Sequence, residues 1–276
     1  MDDLVERARR DFDTRQSADV PRPAADLEDR VVTGGPSGRV AVRVVRPAGA
    51  TGPLPVILYL HGGGWVAGSA RTHDRLVREL ATRASAAAVS VGYTRSPEAR
   101  YPIAAEECYA VLEWIASDGA AHGLDPQRTA VAGDEAGGNL AAAVTLMAKQ
   151  RSGPVLAGQV LFTPITDASS GAARWYWDRY TTGPAARSEI TCSPARATTE
   201  QLAGLPPALV VVAGADELRD EGEAYAARLR HADVPVTAVR YLGVAHDFAV
   251  LDTLRDTPEA RAATAQAGRF LADALS

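Results

Sequence analysis

Val56-Ile57-Leu58-Tyr59-Leu60 is an unbroken apolar run that stops at His61-Gly62-Gly63-Gly64. Such a run suits a central strand covered on both faces. Runs of the same kind recur at residues 87–93, 129–132, 158–163, 208–213 and 236–241. The segments between them repeat their apolar positions at helical period, notably 72–85, 104–117, 138–150 and 221–231. Strand and helix alternating over most of the chain predicts an α/β fold: a mainly parallel central sheet with helices on both faces. Ahead of it, residues 1–25 read as a short N-terminal helix and a Pro-containing linker, and residues 29–47 alternate as two exposed strands. One stretch departs from the pattern. Residues 167–200 hold Trp175, Tyr176, Trp177 and Tyr180 and then a Gly/Pro/Ser-rich segment, which reads as a small lid insertion. Its aromatics can pack as the lid's own core, line a substrate pocket, or do both.

Composition narrows the picture. At 276 residues, 46% hydrophobic and 23% charged, the chain can bury a full core, and one domain spanning 1–276 is expected. A formal charge of −5, evenly spread, lacks a nucleic-acid footprint. Only Lys149 among the 29 basic residues is a lysine, a coding bias rather than a functional signal. No stretch approaches 18 apolar residues and the N-terminus has no secretory apolar core, so neither membrane nor secretion is expected and the location is read as cytoplasmic. Cys108 and Cys192 stand apart from each other and from any metal-ligand spacing, as structural thiols do, and no metal or cofactor is called for. The expected partner is a small-molecule substrate; a homodimer is compatible with this composition.

Open α/β sheets bind ligands at the carboxyl ends of their strands. Two loops there are distinctive. His61-Gly62-Gly63-Gly64-Trp65 brings backbone N–H groups close to a ligand, as an oxyanion hole requires. Gly133-Asp134-Glu135-Ala136-Gly137-Gly138-Asn139 has the glycine spacing of a nucleophile elbow, G-x-S-x-G, with Glu135 where the serine belongs. Asp216 follows the run at 208–213 and His246 the run at 236–241, so elbow, acid and His come in the order of an α/β-hydrolase triad.

On these residues the sequence resembles the hormone-sensitive-lipase family of α/β-hydrolase-fold carboxylesterases over roughly residues 30–275. The resemblance implies that Gly62, Gly63 and Ala136 supply the oxyanion-hole N–H groups, with Asp216 the orienting acid and His246 the base. Trp65, Trp175, Trp177 and Tyr180 are then the expected substrate-binding aromatics. Four features depart from the family: Glu135 for the nucleophilic Ser, Asp247 where Gly usually follows the His, Gly92-Tyr93-Thr94-Arg95-Ser96-Pro97-Glu98 for the usual Asp-Tyr-Arg-Leu-Ala-Pro-Glu, and a short N-terminal cap.

The carboxylate oxygens of Glu135 reach about 2–2.5 Å beyond a serine hydroxyl, roughly to where an ester carbonyl carbon would sit. A coupled Glu135–His246 pair sharing a proton is expected. Three chemistries follow. Glu135 with His246 transfers protons beside a carbonyl held in the hole, giving a lyase, dehydratase, isomerase or cyclase; this is the leading expectation, because such donors also suit an enolate. Alternatively, Glu135 serves a hydrolase of esters, lactones or epoxides as nucleophile or general base, as Asp is the nucleophile of α/β-hydrolase-fold dehalogenases and epoxide hydrolases. In the third, the protein binds a ligand without turnover, as plant gibberellin receptors of the family do. Among the remaining candidates, Asp134 is expected to stabilise the elbow turn, Asp167 the sheet end, and Asp220 and Glu221 a helix N-terminus. His73, His122 and His231 are read as surface or helix-end residues, and Asp247 as facing solvent.

Overall fold

The computed structural model of the protein describes residues 3–276. Its eight strands form one sheet: β1 (Ala25–Thr33), β2 (Arg39–Pro47), β3 (Leu54–Leu60), β4 (Ala87–Gly92), β5 (Leu124–Asp134), β6 (Gln159–Phe162), β7 (Ala208–Ala215) and β8 (Val236–Ala245). Their spatial order is β1-β2-β4-β3-β5-β6-β7-β8. The β1–β2 and β2–β4 pairings are antiparallel, and every pairing from β4 to β8 is parallel. Each interior strand expected from its apolar run is present. The first strand starts earlier than the alternation indicated, at Ala25, because it is an edge strand in which only Val32 is buried and so carries a weak pattern.

The central strands divide their side chains between two cores with a period of two. Val56, Leu58 and Leu60 of β3 face one core, and Ile57 and Tyr59 the other. The first core is covered by α3 (Ile103–Asp118), α4 (Ala136–Gln150) and α8 (Arg219–His231). The second is covered by α2 (Asp74–Ala84) and α9 (Pro258–Ala274), whose buried positions include Ala260, Ala263, Ala267 and Leu271. Small alanines on the inner face of α9 let it approach the sheet closely, and they also make its apolar stripe hard to see in an alanine-rich sequence. The N-terminal helix α1 (Asp3–Arg15) lies across the strand ends: Phe12 is buried and stacks on His73, while Arg9 donates to the carbonyl of Val66 and pairs with both oxygens of Glu98. Residues 167–200 contain the short helices α5 (Arg174–Tyr180), α6 (Pro184–Ser188) and, at their end, α7 (Thr199–Leu202). Among the described residues no helix is long and apolar enough to cross a membrane.

Candidate active site

Four loops at the carboxyl ends of β3, β5, β7 and β8 converge on one cavity of about 260 Å³. Its walls include Gly63, Glu135, Asp216, His246 and Asp247, with Phe12 and Arg15 from α1 and Tyr176 from α5.

The elbow is built by backbone crowding. Glu135 links β5 to α4 with φ 51° and ψ −111°, a conformation costly for a side-chain-bearing residue and held here by its neighbours. Its N–H donates to the Phe162 carbonyl and its own carbonyl accepts from the N–H groups of Ile165 and Asn139. Gly137 packs so tightly under β3 that a Cβ there would lie 1.9 Å from the Leu60 carbonyl oxygen. Only glycine fits.

The Glu135 side chain turns into the glycine loop. Its Oε2 accepts from Gly63 N–H at 2.6 Å and from Gly64 N–H at 2.7 Å, so a carboxylate oxygen sits where an oxyanion hole would hold a reacting oxygen. Gly62 does not contribute: its N–H donates to Asp134 Oδ1 at 3.1 Å, because Asp134 lies directly beneath that peptide. Gly64 takes its place. The expected trio of donors is thereby corrected to Gly63 and Gly64, with the Ala136 N–H also favouring the Glu135 carboxylate. Burial raises the Glu135 pKa, and neighbouring Asp247 pushes the same way against the attraction of His246 and the backbone N–H groups.

His246 Nδ1–H donates to Asp216 Oδ2 at 2.8 Å, and Asp216 Oδ1 is fixed by the Leu218 N–H at 3.0 Å. The expected Glu135–His246 coupling acts through space, each group favouring the other's charged form, and no direct contact for a shared proton joins the two side chains. Among the described residues the ion-pair partners of His246 are Asp216 and, at 3.3 Å from Nε2, Asp247. Asp247 is therefore not a solvent-facing residue: it is 7% exposed, in the left-handed region at φ 62°, beside the imidazole. Burial alone would lower the His246 pKa, but Asp247, Asp216 and Glu135 together push it up to about 10, so the ring is an imidazolium at neutral pH. Asp247 is itself shifted upward by burial, opposed by His246.

Beneath the elbow lies a second His–carboxylate pair. Asp134 Oδ1 accepts from Tyr59 OH at 2.7 Å, and Oδ2 lies 3.1 Å from His73 Nε2. His73 stands at the N-terminal end of α2, as a helix-end residue, but is buried rather than on the surface; α1 covers it through Phe12. Burial would raise the Asp134 pKa, yet His73 and the Tyr59 hydrogen bond bring it below the ordinary value. His61, stacked 4.3 Å from Tyr93, donates from Nδ1 to the Gly62 carbonyl and is held neutral by burial, its pKa lowered to about 3.

The aromatic expectations change most. Trp65 stacks on Tyr180 at 4.1 Å and meets Trp177 at 4.7 Å, and all three are buried in the first core rather than lining the cavity. Trp175 is partly exposed, capped by the Arg179 guanidinium 3.7 Å from its ring centre, and also lies outside the cavity. Trp65, Trp177 and Tyr180 thus pack the lid onto the glycine loop, and Trp175 stands apart against Arg179. The ring that does line the cavity is Tyr176, which presses on Gly64 so closely that a Cβ there would fall 1.9 Å from Cδ1. An alternating aromatic run gives no sign of which ring turns inward; Gly64 was visible beside the expected Gly63 but carried no separate signal, whereas Asp247 stood out as a departure after His246 without showing that it faces the imidazole. Both cysteines are buried and unpaired. Glu221 is buried and accepts from the Thr166 N–H, tying α8 to the loop after β6 rather than capping its own helix. Among the described residues no group of three or more His, Cys, Asp or Glu side chains is placed to hold a metal ion.

Comparison with known proteins fits this geometry. A family model described as an alpha/beta hydrolase fold matches residues 57–250. The chain is 36% identical over 273 residues to the esterase LipI of Mycobacterium tuberculosis, covering 90% of this chain and 82% of that one. It is 34% identical over 268 residues to an ethyl acetate hydrolase of Pseudomonas putida, covering 88% and 83%. Among solved structures, a thermostable esterase from Pseudomonas putida ECU1011 superposes with a TM-score of 0.95 at 44% identity, over 99% of this chain and 90% of that one. These relatives hydrolyse esters. The leading expectation of a lyase, isomerase or cyclase is overturned by them, since a hole that suits an enolate suits a tetrahedral ester intermediate equally and the relatives use ester chemistry.

Proposed function

The chain belongs to the α/β-hydrolase-fold family, and within it we propose that this member hydrolyses small carboxylic esters, with Glu135 as general base and His246 as general acid. The observation that carries this reading is the Glu135 Oε2 held by Gly63 and Gly64 N–H groups in the same cavity as the Asp216–His246 pair. A carboxylate oxygen there occupies the place an ester carbonyl oxygen would take. When an ester enters, its carbonyl oxygen replaces Oε2 on the two N–H groups and the freed carboxylate turns towards the carbonyl carbon. Glu135 takes a proton from water as the water oxygen attacks that carbon; the oxyanion stays on the Gly63 and Gly64 N–H groups. The C–O bond to the leaving group then breaks, and the His246 imidazolium gives its proton to the departing alkoxide. The Glu135 proton returns to His246 and the acid leaves. An imidazolium with its pKa near 10 suits the acid role and is a poor base, which is why the carboxylate carries the base role here.

Short p-nitrophenyl esters test this. The protein as it stands hydrolyses p-nitrophenyl acetate, and Glu135→Gln, isosteric but unable to accept the proton, loses about 10²–10⁴-fold in kcat. A second reading, ligand binding without turnover, draws on the same filled hole. No turnover by the native protein together with hydrolysis by Glu135→Ser would replace the first reading with the second.

A further inference from the structure

His246 meets a carboxylate at each ring nitrogen. Nδ1 lies 2.8 Å from Asp216 Oδ2, and Nε2 lies 3.3 Å from Asp247 Oδ1. The Asp216 contact fixes the orientation of the ring and places a hydrogen on Nδ1. In a neutral ring the lone pair would then be on Nε2, the nitrogen that faces Asp247. A carboxylate offers only acceptors, so Asp247 favours a hydrogen on Nε2 as well; both nitrogens then carry hydrogens and no lone pair remains. The turn after β8 holds Asp247 in place. Its side chain is 8% exposed, its backbone takes the left-handed region at φ 62°, and its carbonyl accepts from the N–H groups of Val250 and Leu251.

The surrounding charges act in the same sense. Glu135 from the elbow and Asp216 from the loop after β7 join Asp247 in favouring the imidazolium. Asp247 in turn faces His246, Arg15 from α1 and His73 at the start of α2, which favour its carboxylate, and Asp134, which opposes it. Glu217 and Tyr176, whose phenol is pushed up to about 12 by burial, complete the titratable lining. The residue at position 135 decides what such a histidine can serve. A carboxylate there accepts protons itself and needs a donor beside it, whereas a serine attacks only as its hydroxyl proton passes to a free Nε2 lone pair. Asp247 meets the first need and removes the second.

We propose that Asp247 is a positioning residue matched to Glu135: by sitting against Nε2 it commits His246 to giving protons, which serves a carboxylate at the elbow and disables a serine there. The benefit to Glu135 rests on the general-base reading above, whereas the effect on a serine is measured independently of it.

The experiment varies the two positions together in the intact protein. Asp247→Asn keeps the shape and removes the charge, and Asp247→Gly suits φ 62° without strain; each is made alone and with Glu135→Ser. Hydrolysis of ethyl acetate, whose alkoxide must be protonated as it leaves, is followed by pH-stat titration across the pH range. With Glu135 present, either Asp247 change lowers kcat about tenfold at about pH 8, as the imidazole gives up its proton earlier. In the Glu135→Ser background the same change raises kcat/KM about tenfold, because Nε2 regains its lone pair, and the alkaline rise of that background moves to lower pH. A turn merely loosened by the substitution would lower both backgrounds together, and urea midpoints record that loss separately. Effects of the same sign in the two backgrounds, or no gain with Glu135→Ser, overturn the proposal. A native protein without turnover, with the Glu135→Ser background still gaining, removes the general-base reading and leaves the Asp247 assignment standing.

Discussion

His73 with Asp134 and His246 with Asp216 are the same chemical pair, at 3.1 and 2.8 Å, and lie on opposite sides of the elbow peptide. Their surroundings separate them. His73 has a side chain 0% exposed, roofed by Phe12 and flanked by His61 and Tyr59, and its carboxylate partner spends its remaining lone pairs on Gly62 N–H and Tyr59 OH. Every polar atom of that pair is occupied by the protein, so the pair can only hold the glycine loop and the elbow together. His246 is 35% exposed at its side chain, and its second nitrogen meets Asp247 across a cavity wall. A histidine–carboxylate pair becomes chemistry when one nitrogen faces a space a substrate can enter; the same pair closed on all sides becomes a brace.

Removing each histidine separates the two roles. His246→Ala lowers ester hydrolysis by about 10²–10⁴-fold and, at neutral pH, also lowers stability, because Asp216 and Asp247 lose the imidazolium that pairs with them. His73→Ala costs about 3–5 kcal/mol in urea unfolding, since it leaves Asp134 buried without its His partner, and the folded fraction keeps its turnover. If folded His73→Ala lost turnover as far as His246→Ala does, the distinction would fail.

Asp247 gives the next effect. It contributes the largest upward push on His246, so Asp247→Asn moves the imidazole titration, followed by NMR of the ring protons, downward from about 10. The raised pKa also fixes the sign of the pH dependence. Stability from this histidine is fully present below its unfolded value of about 6.5 and is lost as pH rises through about 10. The alkaline limb of activity lies near the same pH and shifts downward in the Asn variant. An unmoved titration would show that Asp247 is electrostatically silent. The smallest effect belongs to Trp175→Ala, which removes the Arg179 stacking contact for about 0.5–1 kcal/mol and leaves kcat/KM unchanged, as expected of a ring outside the cavity.

The sheet was legible in the sequence because a central parallel strand buried on both faces has no choice but to be apolar throughout, as β3 and β7 are. The glycine loop and the elbow were legible for a related reason: at Gly137 no other residue fits, so the backbone contact is written in composition. Rotamer choices leave no such trace. Whether Glu135 bends towards His246 or into the glycine N–H groups depends on which donors lie closest in three dimensions, and which of Trp175, Tyr176 and Trp177 turns inward depends on where α5 docks. His73 looked solitary for the same reason, since Asp134 is 61 positions away along the chain and reaches it only through the fold.

Single-turnover hydrolysis of an ester in ¹⁸O-labelled water, with mass analysis of the product acid and of the peptide containing Glu135, tests directly whether water attacks the ester with Glu135 as its base. The label is expected in the product acid and absent from Glu135. Label in the Glu135 carboxylate, or an acyl adduct on Glu135 in the acid-quenched protein, would show a covalent anhydride intermediate and contradict the general-base mechanism.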